Sequence, residues 1–461
     1  MSGSRKQDGS ALMEVDPLAR ELGERFKAAG FQLYLVGGTV RDALLHREHL
    51  DFDFATDAHP QETLKVLRGW ADRRYLQGIR FGTVGSFKDG RDVEITTFRE
   101  EVYPDDARKP GVTFARDIET DLSRRDFTIN AMAVRLPEGE FVDPHGGVRD
   151  LSKMTLDTPL DPEISFSDDP LRMLRAARFV STLGVVPSER VITAMREMHS
   201  RLSIVSPERI QDELNKLLAG ERVAGGLELM VETGLADEFL PELPALKLEQ
   251  DPVHKHKDVL RHTYAVVERC EPRVRLRLAA LLHDIGKPKT REFGPDGVQF
   301  HHHEVVGARM AVERMRALRY PSVTIEEVSR LVEMHLRFHT YKGWADGAVR
   351  RYVRDAGELL DDLNQLTRAD CTTRDAGKAK QFASMQDELE ERIAALAEQE
   401  SLDAMRPPLD GVEVMEHLGL EPGPTVGEAL DFLMELRLER GIIDKETAFA
   451  LLDEWARTRA H

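Results

Sequence analysis

At 461 residues the chain is long enough for two to four domains, each with its own core. Its 64 Lys and Arg stand against 82 Asp and Glu, a formal net charge of −18, which argues against a broadly basic nucleic-acid coat and leaves any phosphate contact to local basic patches. Cys270 and Cys371 cannot make a disulfide framework, and neither a signal-peptide pattern nor an apolar run of about 18 residues occurs, so a cytoplasmic chain with reduced thiols and no membrane contact is expected.

Residues 1–15 are polar and read as a disordered tail. An amphipathic helix is predicted over Asp16–Gly30, then a buried strand at Leu33-Tyr34-Leu35-Val36. Gly37 and Gly38 permit a tight turn and a close ligand approach. Thr39 can cap a following helix whose N-terminus favours phosphate, and Arg41 in its first turn adds positive charge. In Asp51-Phe52-Asp53-Phe54, alternation sends both carboxylates to one face and both phenyls to the other. Alone, either feature is ordinary, a turn or a solvated strand face. Together they suit a two-metal phosphoryl-transfer site. The strings GGTVRD and DFDFATD resemble the entry motif of polymerase-β-like nucleotidyltransferases. More narrowly they are similar to class II CCA-adding tRNA nucleotidyltransferases, the actinobacterial type above all, and to bacterial poly(A) polymerases.

A helix is predicted over Pro60–Trp70, and strands over Gly78–Gly85 and Arg91–Arg99. The second places Asp92, Glu94 and Thr96 on one face. EITTFR resembles the third-carboxylate motif of that family, which implies Glu94, with Asp92 as the alternative. Residues 100–120 read as a long polar loop, where the resemblance places a flexible element. Arg124-Arg125-Asp126 reads as a helix start whose guanidinium forks suit a triphosphate, although a surface charge cluster looks the same. RRDFTINAMA, which contains Asn130, resembles the second family motif. Phe141–Asp150 resembles the third, a hinge.

A helix is predicted to begin at Ser167-Asp168-Asp169-Pro170, with arginines at 172, 175 and 178 in a basic stripe. This resembles the fourth motif, except that Asp168 stands where many relatives carry Glu. The resemblance implies that Asp169 and Arg172 read the base, accepting from the exocyclic amine and donating to ring acceptors of cytosine and adenine. Guanine and uracil would leave buried charges unpaired. Arg175 and Arg178 would contact phosphate or position the helix. Ser206–Leu218 resembles the fifth motif and reads as a capped structural helix.

Farther on, His262, His283-Asp284, His303, His335 and Asp370 come from separate predicted helices and suit one or two divalent ions. Their order resembles the HD phosphohydrolase superfamily; His302 is an alternative to His303. The ion could be Mg²⁺ or a transition metal.

The resemblance implies an α+β chain. A small mixed α/β nucleotidyltransferase head spans 16–155 and an all-helical neck for nucleotide and RNA recognition spans 156–250. An HD domain follows over 251–375 and a helical tail over 376–461. It further implies that Asp51 and Asp53 hold Mg²⁺ while an RNA 3′-hydroxyl attacks CTP or ATP, that Gly37, Gly38, Arg41, Arg124, Arg125, Asp126 and Asn130 cradle the nucleotide, and that C, C and A are added to tRNA. No obligate protein partner is expected. Poly(A) addition, or HD phosphohydrolysis beside an inactive head, are the alternatives.

Overall fold

The computed structural model describes residues 15–47, 51–76, 78–102, 111–115, 117–248, 258–294, 297–341, 343–371, 375–400 and 406–459. They divide into two compact units, with the border between Phe239 and Leu240.

In the first unit the strands are β1 (Leu33–Val36), β2 (Phe52–Thr56), β3 (Arg73–Tyr75), β4 (Thr83–Lys88), β5 (Arg91–Thr97), β6 (Arg99–Val102), β7 (Gly111–Phe114), β8 (Ala133–Leu136) and β9 (Glu140–Val142). Seven of them form one sheet in the order β3-β4-β5-β2-β1-β8-β9. Only β2 and β5 run parallel in it. β1 lies between β2 and β8 and is buried at all four positions, so it reads as an unbroken apolar run rather than an alternation. β2 alternates. Phe52 and Phe54 are 1% exposed and stack with 5.9 Å between ring centres, while Asp53 opens to the other face. Each buried phenyl contributes about 1.5–3 kcal/mol. A slip of one residue would exchange the phenyls for the carboxylate, so the register is firmly set.

Helices α1 (Pro17–Ala28), α2 (Gly38–Leu44), α3 (Pro60–Val66), α4 (Ile118–Ser123) and α5 (Gly147–Ser152) surround the sheet. Three expectations change here. Gly78–Gly85 is not one strand: Ile79–Phe81 is a 3-10 turn closed by Gly82 at φ 84°, and β4 starts at Thr83. The expected loop over 100–120 contains the β6–β7 hairpin, and its residues 103–110 and 116 lie outside the described residues. β3 was not foreseen, because three exposed residues carry no alternation to read.

The rest of this unit is helical apart from a short parallel pair, Thr155–Leu156 with Val186–Pro187, which departs from the predicted all-helical neck: α6 (Pro162–Asp168), α7 (Leu171–Leu183), α8 (Glu189–Met198), α9 (Pro207–Leu218), α10 (Val223–Glu232) and α11 (Leu235–Phe239). Asp168 ends α6, contrary to the predicted single helix start. Asp169 is extended (φ −143°, ψ 100°), and α7 begins after Pro170. α7 packs on α9 and α10. The Ser181 hydroxyl donates to the Leu217 carbonyl at 2.6 Å, closing that contact.

The second unit contains α12 (Val259–Arg269), α13 (Val274–Leu282), α14 (His303–Ala317), α15 (Ser322–Met334), α16 (Asp346–Ala356), α17 (Leu360–Asp370), α18 (Ala376–Glu400), α19 (Gly411–Leu418), α20 (Pro424–Arg440) and α21 (Lys445–Arg459). A hairpin of Arg291–Gly294 and Gly297–Phe300 precedes α14. The last three helices share a core of Leu409, Val414, Ala429, Leu433, Ala448 and Leu452. Among the described residues no helix is long and apolar enough to cross a membrane. The histidine-rich run predicted to open at Pro252 is described only from Asp258 onward.

Candidate active site and metal centre

The β1–α2 turn is made by Gly37 at φ 70°, which, rather than Thr39, is the residue before the helix. Thr39 has another task. Its hydroxyl donates to the Asp51 carbonyl and accepts from the Asp53 amide, both at 3.3 Å, fastening the start of β2 beneath the turn. The φ of 70° at Gly37 disfavours a side chain, and a Cβ there would stand 2.9 Å from Arg125 Nη1 and 3.8 Å from Asp53 Oδ2. Across the parallel β2–β5 pair, Asp53 is the direct partner of Glu94. Asp92, the alternative third carboxylate, bonds the Tyr75 hydroxyl.

A cleft of about 360 Å³ opens over this face. It is lined by Asp53, Glu94, Arg124, Arg125, Asp126, Asp169, Arg172 and Arg175 among the predicted residues, together with Arg99, Asp121 and Arg209, which sequence reasoning did not assign. Burial, reinforced by Asp51, lifts the Asp53 carboxyl above its usual range against the pull of Arg125 and Arg41. Burial and then Asp53 lift Glu94 likewise. Carboxylates crowded enough to resist ionisation are what a divalent cation neutralises, so this donor set fits one.

Arg41, Asn130 and Arg178 do not line the cleft. Arg41 grips Asp42 through both arms of its fork (2.8 and 2.9 Å) and donates to Asn130 Oδ1 at 2.7 Å. Asn130 Nδ2 donates to Asp126 at 3.0 Å, and Asp126 receives the Arg175 fork at 2.5 and 2.9 Å. Arg175 and Arg178 both meet Glu213 on α9, at 3.4 and 3.1 Å. A continuous polar chain therefore runs from Arg41 on α2 to Glu213 on α9. Burial pushes the Asp126 carboxyl up, but Arg175 and Asn130 outweigh it and hold the group well below its usual value. Arg124 and Arg125, expected at a helix start, instead follow the end of α4.

Asp169 and Arg172 both line the cleft; the Arg172 amide donates to the Asp169 carbonyl at 3.0 Å, and their side chains turn to other partners. Asp169 accepts from the Leu171 amide (3.1 Å) and from Arg209 Nη2 (2.7 Å). Arg172 donates to the Ser165 hydroxyl (2.9 Å) and to the Arg124 carbonyl (2.5 Å). Arg209 lay within the fifth motif. Its position on the exposed end of a predicted amphipathic helix was the available signal.

The second unit gathers the predicted histidines. α13 ends at His283, and the turn behind Asp284 presses against the start of α14: at Gly286 a Cβ would stand 2.8 Å from the Gly307 amide. That approach brings Asp284 Oδ1 to 3.3 Å from His303 Nε2. Asp284 Oδ2 lies 3.2 Å from His283 Nε2 and 3.6 Å from His262 Nε2. Asp370 Oδ1 meets His262 Nε2 at 2.9 Å. His283, His303 and His335 direct Nδ1 to backbone carbonyls at 2.7, 2.8 and 2.6 Å, leaving each Nε2 facing inward. His302 points out, its side chain 83% exposed, so it is not the inward ligand. Among the described residues two donor groups, His262–His283–Asp284 and Asp284–His303–His335, could each hold a metal ion. Buried His303 Nε2, His335 Nε2 and Asp284 Oδ1 have no hydrogen-bond partner. Burial, then His283, drives the His335 pKa down to about 3. Inward imidazole nitrogens around an unpartnered carboxylate oxygen fit a divalent metal.

The fold and the cleft define a polymerase-β-like nucleotidyltransferase head carried with an HD region. Residues 33–157 match the poly A polymerase head domain, 184–246 the family described as "Probable RNA and SrmB- binding site of polymerase A", and 259–405 the HD domain. An A-adding tRNA nucleotidyltransferase of Deinococcus radiodurans is 36% identical over 442 residues, 92% of this chain and 95% of that one. The chain belongs to the tRNA nucleotidyltransferase family and is an enzyme of that class. A CCA-adding enzyme of Anoxybacillus flavithermus is 44% identical over 49% of this chain, and the match spans about half (56%) of that enzyme. The Bacillus stearothermophilus CCA-adding enzyme, solved in complex with CTP, has a TM-score of 0.74 at 26% identity, covering 97% of this chain and 99% of that one. The Thermotoga maritima CCA-adding enzyme, solved with tRNA, shares the fold at a TM-score of 0.60 and 20% identity, covering 98% of this chain and 99% of that one.

Proposed function

We propose that the chain adds C, C and A to the 3′ end of tRNA from CTP and ATP without a nucleic-acid template, releasing pyrophosphate. The observation that carries this is the pairing of Asp53 with Glu94 in a cleft that Asp169, Arg172 and Arg209 also line. Asp51 and Asp53 would hold divalent ions, Mg²⁺ in this reading, which when bound neutralise charge on the transferred and leaving phosphates. Arg125, beside Gly37 and Asp53, binds the triphosphate. Glu94, its proton affinity raised by burial, receives the proton of the attacking 3′-hydroxyl. Asp169 and Arg172 keep hydrogen-bonding capacity beyond their present partners and read the base edge. Asp126, Asn130, Arg41 and Arg175 position that reading wall against the carboxylates. The residues of the second unit form a metal-dependent phosphohydrolase centre, with Asp284 between two groups of histidines.

A second reading is addition of the terminal A alone, because the relative matched along nearly the whole chain is named an A-adding enzyme. Purified protein is incubated with Mg²⁺, tRNA transcripts ending before, within and after CCA, and labelled CTP or ATP supplied separately. CTP incorporation on the shortest transcript together with ATP incorporation on the one ending in CC supports CCA addition. ATP incorporation on transcripts ending in CC with no CTP incorporation on any transcript supports the second reading, and long A tails on any RNA overturn both. Asp53→Ala lowers kcat by on the order of 10³-fold.

A further inference from the structure

The face that carries Asp53 and Glu94 continues toward the sheet edge. Glu94 is the partner of Gly85 on β4, and Gly85 is the partner of Tyr75 on β3. With the Asp53–Glu94 pairing these make one row across four strands, and cross-strand partners present their side chains to the same face. The strand spacing puts Tyr75 roughly 14 Å from Asp53. Gly85 leaves its place in the row open and the Tyr75 ring lies over it: a Cβ there would stand 2.6 Å from ring Cε2. The Tyr75 hydroxyl is held between the Asp92 carboxylate and the Ser86 carbonyl, the latter at 3.0 Å. The ring is thus fixed, yet 39% of the residue stays exposed. Arg73, on the same face and also exposed, sets its guanidinium 5.0 Å from the centre of the Phe87 ring.

An immobilised aromatic ring flanked by arginine on an exposed strand is the composition that receives unpaired nucleic acid, by stacking and by attraction to phosphate. Its place on the sheet says which nucleic acid. The Gly37–Arg125 cradle lies on the β1 side of Asp53, and Tyr75 lies on the β5 side, beyond Glu94. In an in-line displacement the attacking and leaving oxygens oppose each other across phosphorus, so the acceptor comes from the side away from the triphosphate. We infer that Tyr75, seated on Gly85 and flanked by Arg73, is a stacking platform for the unpaired 3′ end of the acceptor RNA, leading its hydroxyl toward Glu94. This rests on the nucleotidyl-transfer reading above.

The test uses the full chain with a tRNA transcript lacking CCA and labelled CTP. Tyr75→Ala raises KM for the RNA about tenfold, the loss of one stacked base, and leaves KM for CTP unchanged. Tyr75→Trp keeps the wild-type value, and Gly85→Ala, whose Cβ displaces the ring, behaves as Tyr75→Ala. An unchanged RNA KM in an active Tyr75→Ala enzyme overturns the platform while the nucleotidyl-transfer reading stands. A wild-type enzyme that incorporates neither CTP on this transcript nor ATP on one ending in CC overturns both. Should Tyr75→Ala not fold, 2-aminopurine in the unpaired 3′ end of the RNA decides the matter. Quenching by wild type that deepens in Tyr75→Trp supports the platform, and unquenched fluorescence overturns it.

Discussion

The cleft of the first unit and the histidine centre of the second are both built from buried charge, but they solve the cost of burial differently. Around the cleft, the charged groups satisfy one another: Arg41 with Asp42 and Asn130, Asp126 with Arg175, Arg175 with Glu213, Asp169 with Arg209. The frame holds its shape chiefly through these ion pairs and hydrogen bonds. In the histidine centre His283 is fully buried and Asp284 and His335 are 1% exposed, while two imidazole nitrogens and a carboxylate oxygen point at one another without partners. Unpaired buried polar groups cost about 1–3 kcal/mol each. The first site is therefore organised before its ligand arrives, whereas the second needs its ion to be stable.

The largest effect expected from this contrast comes from cutting the frame. Asp126→Asn leaves Arg175 only its longer contact with Glu213 and destabilises the first unit by about 3 kcal/mol, read by urea unfolding. In wild type the Asp126 carboxyl is held below the ordinary value of 3.8 in the folded state. Its contribution is therefore present above pH 3.8 and is lost as pH falls below it. A wild-type difference from Asp126→Asn that persists unchanged into stronger acid would show that the pair does not carry the frame.

Much of both sites was legible in the sequence because it depended on short-range pattern. Alternation in Asp51–Phe54 set Asp53 on the cleft side and the phenyls in the core, although Asp51 does not line the cleft, and the order of histidines on separate helices named the second centre. What escaped depended on packing partners that local pattern does not encode. Thr39 sits where a cap belongs, yet its hydroxyl serves the next strand, because Gly37 alone makes the turn. Arg41, Asn130 and Arg178 carry the residue types of a phosphate cradle, but partners 38 to 89 residues away claim Arg41 and Asn130 and secure the neighbouring Arg175. Arg209 and Tyr75 were not assigned for the opposite reason. Only the tertiary fold brings α9 beside Asp169, and only the strand register puts β3 in line with Glu94.

Removing the ion should separate the two sites next. Chelation lowers the melting temperature of the second unit by roughly 5–10 °C, the loss of about 2.7 kcal/mol of linkage for an ion present at a hundred times its Kd. The first unit keeps its temperature, since its charges are paired without the ion. Calorimetry resolves the two transitions, and Asp284→Asn removes the chelator's effect. Equal shifts in both units would place metal dependence in the cleft frame as well.

The smallest effect is expected at Arg209→Ala. Its pair with Asp169 is half exposed, the arginine side chain 53% and the carboxylate 30%, so solvent screening leaves little stability in it. Its consequence is orientation. One Asp169 oxygen remains fixed by the Leu171 amide, and the other loses the guanidinium that aims it across the cleft. KM for CTP and for ATP should rise about fivefold, the cost of one weakened hydrogen bond, with kcat and melting temperature close to wild type. Arg209→Lys restores charge but not the planar fork, and recovers part of the loss. If both variants instead lower kcat at unchanged KM, Arg209 acts on the transferring phosphate, and the cleft wall it shares with Asp169 reads the triphosphate rather than the base.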